Sequence, residues 1–381
     1  METSELMLII SKGEDSKNQF KVNIYNAESL AGELVAFSNS DGGRIFVGVS
    51  DDGSVSGLTF EDVGRLNQLI SNTATQSVHP PINPLTENIF HPSGIVLLIN
   101  IQAGISKPYM DNKGVIWVKN AGDKRKITSR EEIQRMFQNA GLIHADEITV
   151  QGLTVTDIDL PYFNDFFRKK YGEEIDNQTL SLPELLKNMN LADGSNLKLA
   201  GALLFSKQPQ FYLPSFIVKA ICYPGCDIDT RNYIDSRDIT GKIADVFYQS
   251  LSFVLNNIQY KQGNNSINST GVPEIPQIVL EELLVNSLIH RDYFITAHIR
   301  LFVFRDRVEI ITPGNLPNNL TIDNIKSGNS NMRNPILATF ATTILPYRGI
   351  GSGIIRALKE YPHIDFFDDR DSNIFRVIIH R

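Results

Sequence analysis

One predicted helix near the C-terminus constrains the fold most, because it is apolar around nearly its whole circumference except for one polar stripe. It starts at Pro276, a position where proline costs no helical hydrogen bond, and it carries Glu282, Asn286 and His290 at intervals of four residues. Residues four apart lie only about 40° apart around a helix axis, so these side chains share one face. The helix is predicted to be buried. Its stripe must then contact a ligand, unless the stripe is a helix edge that faces solvent.

The polar residue types in and after this helix suit a phosphate-bearing ligand. A carboxylate beside an amide oxygen can hold a magnesium ion or a phosphate-bound water, since hard cations prefer oxygen ligands. Further along the chain, Gly349, Gly351 and Gly353 lead into another predicted helix. Glycines there bring backbone N–H groups and the positive end of the helix dipole towards an anion. Arg348 would add a positive charge to the same site.

Composition limits the classes of function. The chain has 381 residues and a formal net charge of −7, so no overall positive charge favours nucleic acid or an anionic membrane. No apolar run approaches the roughly 20 residues of a membrane span, and no signal peptide is apparent, which favours the cytoplasm. The two cysteines, Cys222 and Cys226, lack the redox Cys-x-x-Cys spacing and are expected to be reduced, with at least one buried.

Hydrophobic periodicity predicts an α+β multidomain chain with three regions. Residues 1–140 and residues 274–381 are each predicted to mix helices and strands, and residues 145–260 are predicted to form a helical and β middle region that couples its neighbours. Between the last two, residues 261–273 are rich in turn formers and predict a linker or mobile loop. Within the middle region, residues 197–205 predict a helix end that runs into a buried strand.

Four short motifs, in order, resemble the GHKL-type ATPase module of RecG-like C-terminal domains. They are Glu282 to Asn286 with His290-Arg-Asp-Tyr293, Val308 to Pro317, Arg333-Asn-Pro-Ile-Leu337, and Gly349 to Gly353.

This resemblance implies an α/β sandwich fold for residues 274–381 and a nucleotide site within it. Asn286 would bind magnesium and Glu282 would be the base that activates water, whereas ATP would contact Asn286, His290, Arg348, Gly349, Gly351 and Gly353. The segment Thr312-Pro313-Gly314 stands where GHKL ATPases usually have the aspartate that reads adenine. Because that carboxylate is absent, the resemblance implies binding of ATP and magnesium more directly than it implies hydrolysis, and any ATPase activity is expected to be weak.

The N-terminal region resembles the Schlafen AlbA-type (divergent AAA) domain, a family described as nucleic-acid binding. The resemblance covers about 120 residues and rests on Glu14, Phe20-Lys21, Ala36 to Asn39, Gly42-Gly43, Ile45 to Val49, Asp51 to Gly53, Gly57, Lys107-Pro-Tyr109 and Ser129 to Ile133.

Schlafen relatives that cut RNA hold a metal ion with two glutamates and a later aspartate, which suits phosphodiester hydrolysis. Glu14 matches the first glutamate, and Asp51 or Asp52 could be the aspartate, but Gln19 stands at the second glutamate position. A neutral amide removes one negative charge from the site. Nuclease activity is therefore not expected, and Glu14 can also be read as an exposed loop carboxylate.

A cluster of basic residues in the same region predicts contact with nucleic-acid phosphates, although solvated surface is the simpler interpretation. Its members are Lys119, Lys124, Arg125, Lys126 and Arg130.

The order of the two domains resembles that of bacterial transcriptional regulators. The sequence therefore predicts a homodimeric regulator that binds nucleic acid, with DNA favoured over RNA, through its first region and a nucleotide through its last. Two alternatives remain open. One is an ATP-hydrolysing enzyme that uses Glu282, and the other is a non-catalytic interaction scaffold, which Gln19 and Pro313 favour.

Overall fold

The computed structural model divides the chain into two compact units, Met1–Leu142 and Ile143–Arg381. Each unit combines helices and strands, which confirms the predicted α+β class. The residues that the structure describes are 1–229, 231–262, 271–317 and 320–381. Most of the predicted linker, residues 263–270, lies outside them.

The first unit is built around a four-stranded sheet in the order β1-β2-β5-β4. Its helices are α1 Thr3–Lys12, α2 Ala27–Asn39, α3 Phe60–Gln76 and α4 Arg130–Asn139. Its strands are β1 Asn18–Lys21, β2 Gly43–Val47, β3 Val78–His79, β4 Leu85–His91, β5 Gly94–Ile101, β6 Met110–Asp111, β7 Trp117–Asn120 and β8 Asp123–Lys126. Helix α2 is almost wholly buried, and Asn26 caps its first turn through the backbone N–H groups of Glu28 and Ser29.

The second unit contains the remaining elements. Its helices are α5 Leu160–Tyr171, α6 Leu182–Asn188, α7 Leu199–Phe205, α8 Ile243–Asn257, α9 Gln277–Ile289, α10 Ile322–Lys326, α11 Pro335–Ile344 and α12 Gly353–Glu360. Its strands are β9 Thr149–Thr154, β10 Ala192–Asp193, β11 Asn196–Lys198, β12 Val218–Cys222, β13 Asp235–Ile239, β14 Tyr260–Lys261, β15 Val272–Pro273, β16 Ile299–Val303, β17 Arg307–Pro313, β18 Ile364–Asp369 and β19 Ile374–His380.

A six-stranded sheet in the order β13-β12-β16-β17-β19-β18 organises the second unit. Strands β12 and β16 are parallel, and the other neighbours are antiparallel. Strands β16 and β17 form a hairpin that pairs Val303 with Val308 across a short turn. Helix α9 packs on this sheet between α8 and α12, and it is buried on almost every side because leucine, isoleucine and valine cover its surface.

The middle and C-terminal regions of the sequence share both this sheet and one hydrophobic core. Strands β12 and β13 come from the middle region, and the core extends from Ala145 to Ile379. Of the two cysteines, Cys222 is buried and Cys226 is exposed, and both are free.

The predicted strand at the end of residues 197–205 is wrong, because residues Leu199–Phe205 form helix α7. Every residue of α7 is buried. A short run that is apolar on all sides fits a buried helix as well as a buried strand, so periodicity alone could not separate the two.

The Arg333-Asn-Pro motif holds α9 and α11 together. Asn334 is fully buried, and its Nδ2 donates to the carbonyl oxygens of Ile289 at 2.9 Å and Arg291 at 2.8 Å. It therefore satisfies carbonyl groups at the C-terminal end of α9, where helical partners run out. Arg333 adds a bond from Nη2 to the carbonyl oxygen of Asn315 at 2.9 Å.

Asp146 caps the N-terminal end of α11, the second helix that the Arg333-Asn-Pro motif joins. Its Oδ2 accepts from the backbone N–H groups of Ile336 at 2.7 Å and Leu337 at 3.0 Å, in the first turn of α11. Burial raises the pKa of Asp146 to about 6, although these two hydrogen bonds oppose the shift. The carboxyl group is therefore still mostly ionised at pH 7, but it takes up its proton at a higher pH than an exposed aspartate does.

Asp146→Asn is expected to raise the free energy of unfolding at pH 7 by about 2 kcal/mol, because it removes a buried charge and keeps an acceptor oxygen. A carboxyl pKa raised on folding gives stability that is present at low pH and is lost as the pH rises through about 6. The advantage of the asparagine should therefore shrink as the pH falls from 7 to 5. Urea unfolding of both proteins across this pH range measures the difference between their free energies of unfolding. A difference that stays constant with pH would contradict the raised pKa of Asp146.

Candidate functional site

The polar stripe of α9 faces a cavity in the second unit. Glu282, Asn286 and His290 all line it, and Gly349, Gly351 and Gly353 line it as well. The structure thus brings the stripe and the late glycines together at one place. The space not filled by protein atoms is about 1000 Å³ including the opening to solvent, which is within the range of small-molecule sites.

The lining of the cavity has an apolar part and a charged part. Most of its apolar side chains come from α9, the loop after β17, α10 and strands β18 and β19, and they include Leu283, Leu316, Leu320, Ile325, Phe366, Phe375 and Val377. The charged part comes from α9, from the segment before α12 and from α12 itself, and it contains Glu282, Arg348 and Arg356. Such a lining can accommodate a ligand that joins a flat apolar group to an anionic group.

Glu282 is the one carboxylate that lines the cavity within the described part of the chain, and it is already paired. Arg356 Nη2 donates to its Oε1 in a short ion pair. Only 6% of Glu282 is exposed. Burial raises the pKa of this carboxyl group, and the positive charges of Arg356 and Arg348 oppose the rise.

Gly353 lets the start of α12 approach α9 closely. A Cβ atom added at Gly353 would lie against Glu282 Oε2 and 3.4 Å from Asn286 Nδ2. A larger residue would therefore occupy the space beside the stripe. Gly351, with a φ of +73°, has its own close neighbour in the carbonyl oxygen of Gly328, so a side chain there would meet both backbone strain and a clash.

His290 is neutral at physiological pH. Burial, together with the positive charge of Arg333, lowers its pKa to about 4. Its Nε2 lies 3.4 Å from the hydroxyl oxygen of Tyr347. At this position His290 can exchange hydrogen bonds with a ligand but does not supply a positive charge to a phosphate.

The segment predicted to lack an adenine-reading carboxylate also lines the cavity. Thr312 and Gly314 belong to the lining, and Pro313 pairs with Ile374 at the end of β17. Gly314 has a φ of +100°, and a Cβ atom there would lie 2.5 Å from Arg333 Nη1. Glycine is favoured at this turn by its positive φ, and an added Cβ atom would also lie 2.5 Å from the Cβ atom of Asp292.

In the first unit, two of the residues that resemble a nuclease site, Glu14 and Asp52, already accept hydrogen bonds from nearby backbone N–H groups. Glu14 Oε1 accepts from the backbone N–H of Phe20 at 2.7 Å. Asp51 and Asp52 are exposed after β2, and Asp52 Oδ1 accepts from the N–H of Ser54 at 2.9 Å. Among the described residues, no three His, Cys, Asp or Glu side chains form a group that could hold a metal ion.

Gln19 instead lies next to an internal ion pair that the sequence did not reveal. Gln19 is buried, and its Oε1 lies 3.4 Å from Lys119 Nζ. This ammonium group is also 3.9 Å from Glu33 Oε2 and 4.6 Å from the ring centroid of Phe37. Lys124 Nζ binds the other oxygen of Glu33 at 2.9 Å. Desolvation lowers the pKa of Lys119, and Glu33 opposes this.

These contacts divide the predicted basic cluster into members that form an ion pair and members for which the described residues show none. Lys119 and Lys124 are held by Glu33, and Arg125 forms a short pair with Glu132. The exposed members, for which no ion pair is formed within the described residues, are Lys126 and Arg130.

Family comparisons agree with both resemblances. Residues 14–129 match the model described as "Schlafen, AlbA_2", and residues 296–368 match the model described as "Putative ATP-dependent DNA helicase recG C-terminal". The chain therefore contains a segment similar to Schlafen AlbA_2 domains, followed by a segment similar to RecG C-terminal domains. Such domains are those of a nucleic-acid-associated, ATPase-like protein. The second match includes the glycine segment but begins after α9.

Solved structures give more distant similarities. The DIP2311 protein from Corynebacterium diphtheriae is 19% identical, with a TM-score of 0.47, over 99% of this chain and 79% of that one. The N-terminal domain of a putative ATP-dependent DNA helicase RecG-related protein from Nitrosomonas europaea is 14% identical, with a TM-score of 0.26, over 34% of this chain and 96% of that one. A search of curated proteins gave no match. No helix among the described residues is long and apolar enough to span a membrane.

Proposed function

We propose that this chain is a cytoplasmic, homodimeric regulator of transcription that binds DNA through its first unit and a nucleotide in the cavity of its second unit. The observation that carries the nucleotide proposal is the cavity itself, in which the stripe of α9 and the glycine segment face one space. Asn286 is the side chain that would contact a magnesium ion held by the phosphates. The apolar lining would receive the base.

The charges in the cavity favour an anionic ligand. Arg348 and Arg356 outnumber the single carboxylate of Glu282 among the described lining residues. The first backbone N–H groups of α12 are free of helical partners and lie at the positive end of its dipole. Together they suit the phosphates of a nucleotide.

A thermal-shift screen with ATP, ADP and other nucleotides, with and without magnesium, tests the nucleotide proposal. A ligand that binds only the folded state stabilises it by about 2.7 kcal/mol at one hundred times its dissociation constant. We expect ATP to raise the melting temperature. If no nucleotide changes it, the non-catalytic scaffold becomes the better description.

For the first unit, we expect the exposed cations Lys126 and Arg130 to contact phosphates. The double variant Lys126→Glu with Arg130→Glu should weaken binding of a labelled DNA duplex about tenfold at low salt, and should flatten the dependence of affinity on salt, because fewer counterions are released. Fluorescence anisotropy measures both quantities.

The matched control makes the same change in net charge at exposed lysines of the second unit, Lys169→Glu with Lys207→Glu. An equal loss of affinity in both double variants would show that only net charge matters. No loss in either would remove Lys126 and Arg130 from the DNA-binding surface. A homodimer would strengthen a weak surface of this kind through avidity.

The ATP-hydrolysing alternative has one observation in its favour, which is the buried carboxylate of Glu282 beside the proposed phosphate position. The ion pair that Glu282 forms weighs against it.

A further inference from the structure

Arg356 occupies the carboxylate on which hydrolysis in this cavity would depend. Its guanidinium group donates directly to Glu282. Arginine stays protonated at all physiological pH values, so this partner does not leave by losing its charge. Only 29% of the Arg356 side chain and 7% of the Glu282 side chain are exposed, and water therefore screens the pair only partly.

Helix geometry explains why the two groups meet. Gly353 and Arg356 are three residues apart on α12 and share one face. Gly353 packs against Glu282 and Asn286 without a side chain between them. The close approach that Gly353 permits therefore carries the Arg356 side chain to the same carboxylate.

Hydrolysis of a nucleoside triphosphate needs a proton acceptor. Water attacks the γ-phosphorus, the bond from that phosphorus to the β–γ bridging oxygen breaks, and a water proton passes to a base, which leaves the diphosphate and inorganic phosphate. Within the described lining, Glu282 is the one carboxylate that could take the proton. A carboxylate that already binds a guanidinium group has an occupied oxygen and a reduced tendency to accept a proton.

We infer that Arg356 masks Glu282, so that the cavity holds a bound nucleoside triphosphate intact and reports its presence instead of hydrolysing it. This inference rests on the proposed nucleotide binding and adds that Arg356 decides between a sensor and a hydrolase. Arg356 is a positioning residue in this account, since it acts through Glu282. Its removal should uncover an activity that the wild-type chain lacks.

The test compares phosphate release from ATP and magnesium by the full chain and by Arg356→Met, which keeps a long apolar stem and removes the charge. We expect an increase of about a hundredfold in the variant, the low end of what general-base catalysis contributes. The increase should disappear in the double variant Glu282→Gln with Arg356→Met. A purely structural role of Arg356 would not make the gain depend on Glu282.

Titration calorimetry with ATP separates the outcomes. A wild-type chain that binds no ATP overturns the proposed function and this inference together. If wild type and Arg356→Met both bind ATP and release phosphate equally slowly, the masking role is wrong and nucleotide binding stands. A wild-type chain that hydrolyses ATP rapidly also overturns the masking role of Arg356. Should Arg356→Met fail to fold, Arg356→Gln, which retains a polar amide near Glu282, is measured in the same way.

Discussion

Replacing Asn334 with aspartate is expected to lower the free energy of unfolding of the second unit by about 3 kcal/mol, because two buried carbonyl groups lose their donor. The side chain keeps its size, so no cavity forms. The carboxyl group instead directs oxygen atoms at the carbonyl oxygens of Ile289 and Arg291, which now accept from Asn334 Nδ2. The loss should therefore exceed that of one ordinary hydrogen bond.

Asn256→Asp is the matched control, because Asn256 is exposed on α8 and its Nδ2 donates to the nearby hydroxyl of Ser252. Urea unfolding followed by circular dichroism should place this control within about 0.5 kcal/mol of the wild type. Equal stability of Asn334→Asp and Asn256→Asp would mean that the Arg333-Asn-Pro motif does not hold α9 and α11 in the way described.

Gly353→Val is expected to weaken nucleotide binding at least a hundredfold, because its side chain would fill the space between the glycine segment and the polar stripe. The first added carbon would already lie against Glu282 and 3.4 Å from Asn286 Nδ2. Gly353 does not have a positive φ, so valine meets no special backbone strain there. The effect should fall on binding, with a smaller loss of stability from the displaced Glu282 side chain.

Gly225→Val controls for the substitution itself. A Cβ atom at Gly225 would meet nothing within 4 Å, and Gly225 also lacks a positive φ. This variant should bind ATP as the wild type does. If Gly353→Val is folded and binds ATP normally, the phosphates do not lie between the glycine segment and α9.

The sequence was sufficient to predict features that depend on local pattern. The stripe of α9 could be read from a spacing of four residues in an otherwise apolar helix, and the glycine segment from its place before α12. Helix α7 could not be predicted in the same way, since burial on all sides removes the periodicity that distinguishes a helix from a strand.

Partners that are distant in the sequence could not be predicted. Arg356 is 74 residues from Glu282, and Lys119 is 86 residues from Glu33. Each of these residues looks like ordinary charged surface in its own segment, because the pairing exists only after the helices and strands have packed. Asn334 was noticed as part of a motif, but its role as a cap for α9 depends on where that helix ends.

Titration of the full chain with ATP and magnesium, followed by calorimetry, tests the central claim most directly. The account predicts a saturable binding heat with one site per chain, which Gly353→Val abolishes and Gly225→Val leaves unchanged. Absence of any binding heat for the wild type, together with an unchanged melting temperature, would contradict the claim that the cavity beside α9 is a nucleotide site.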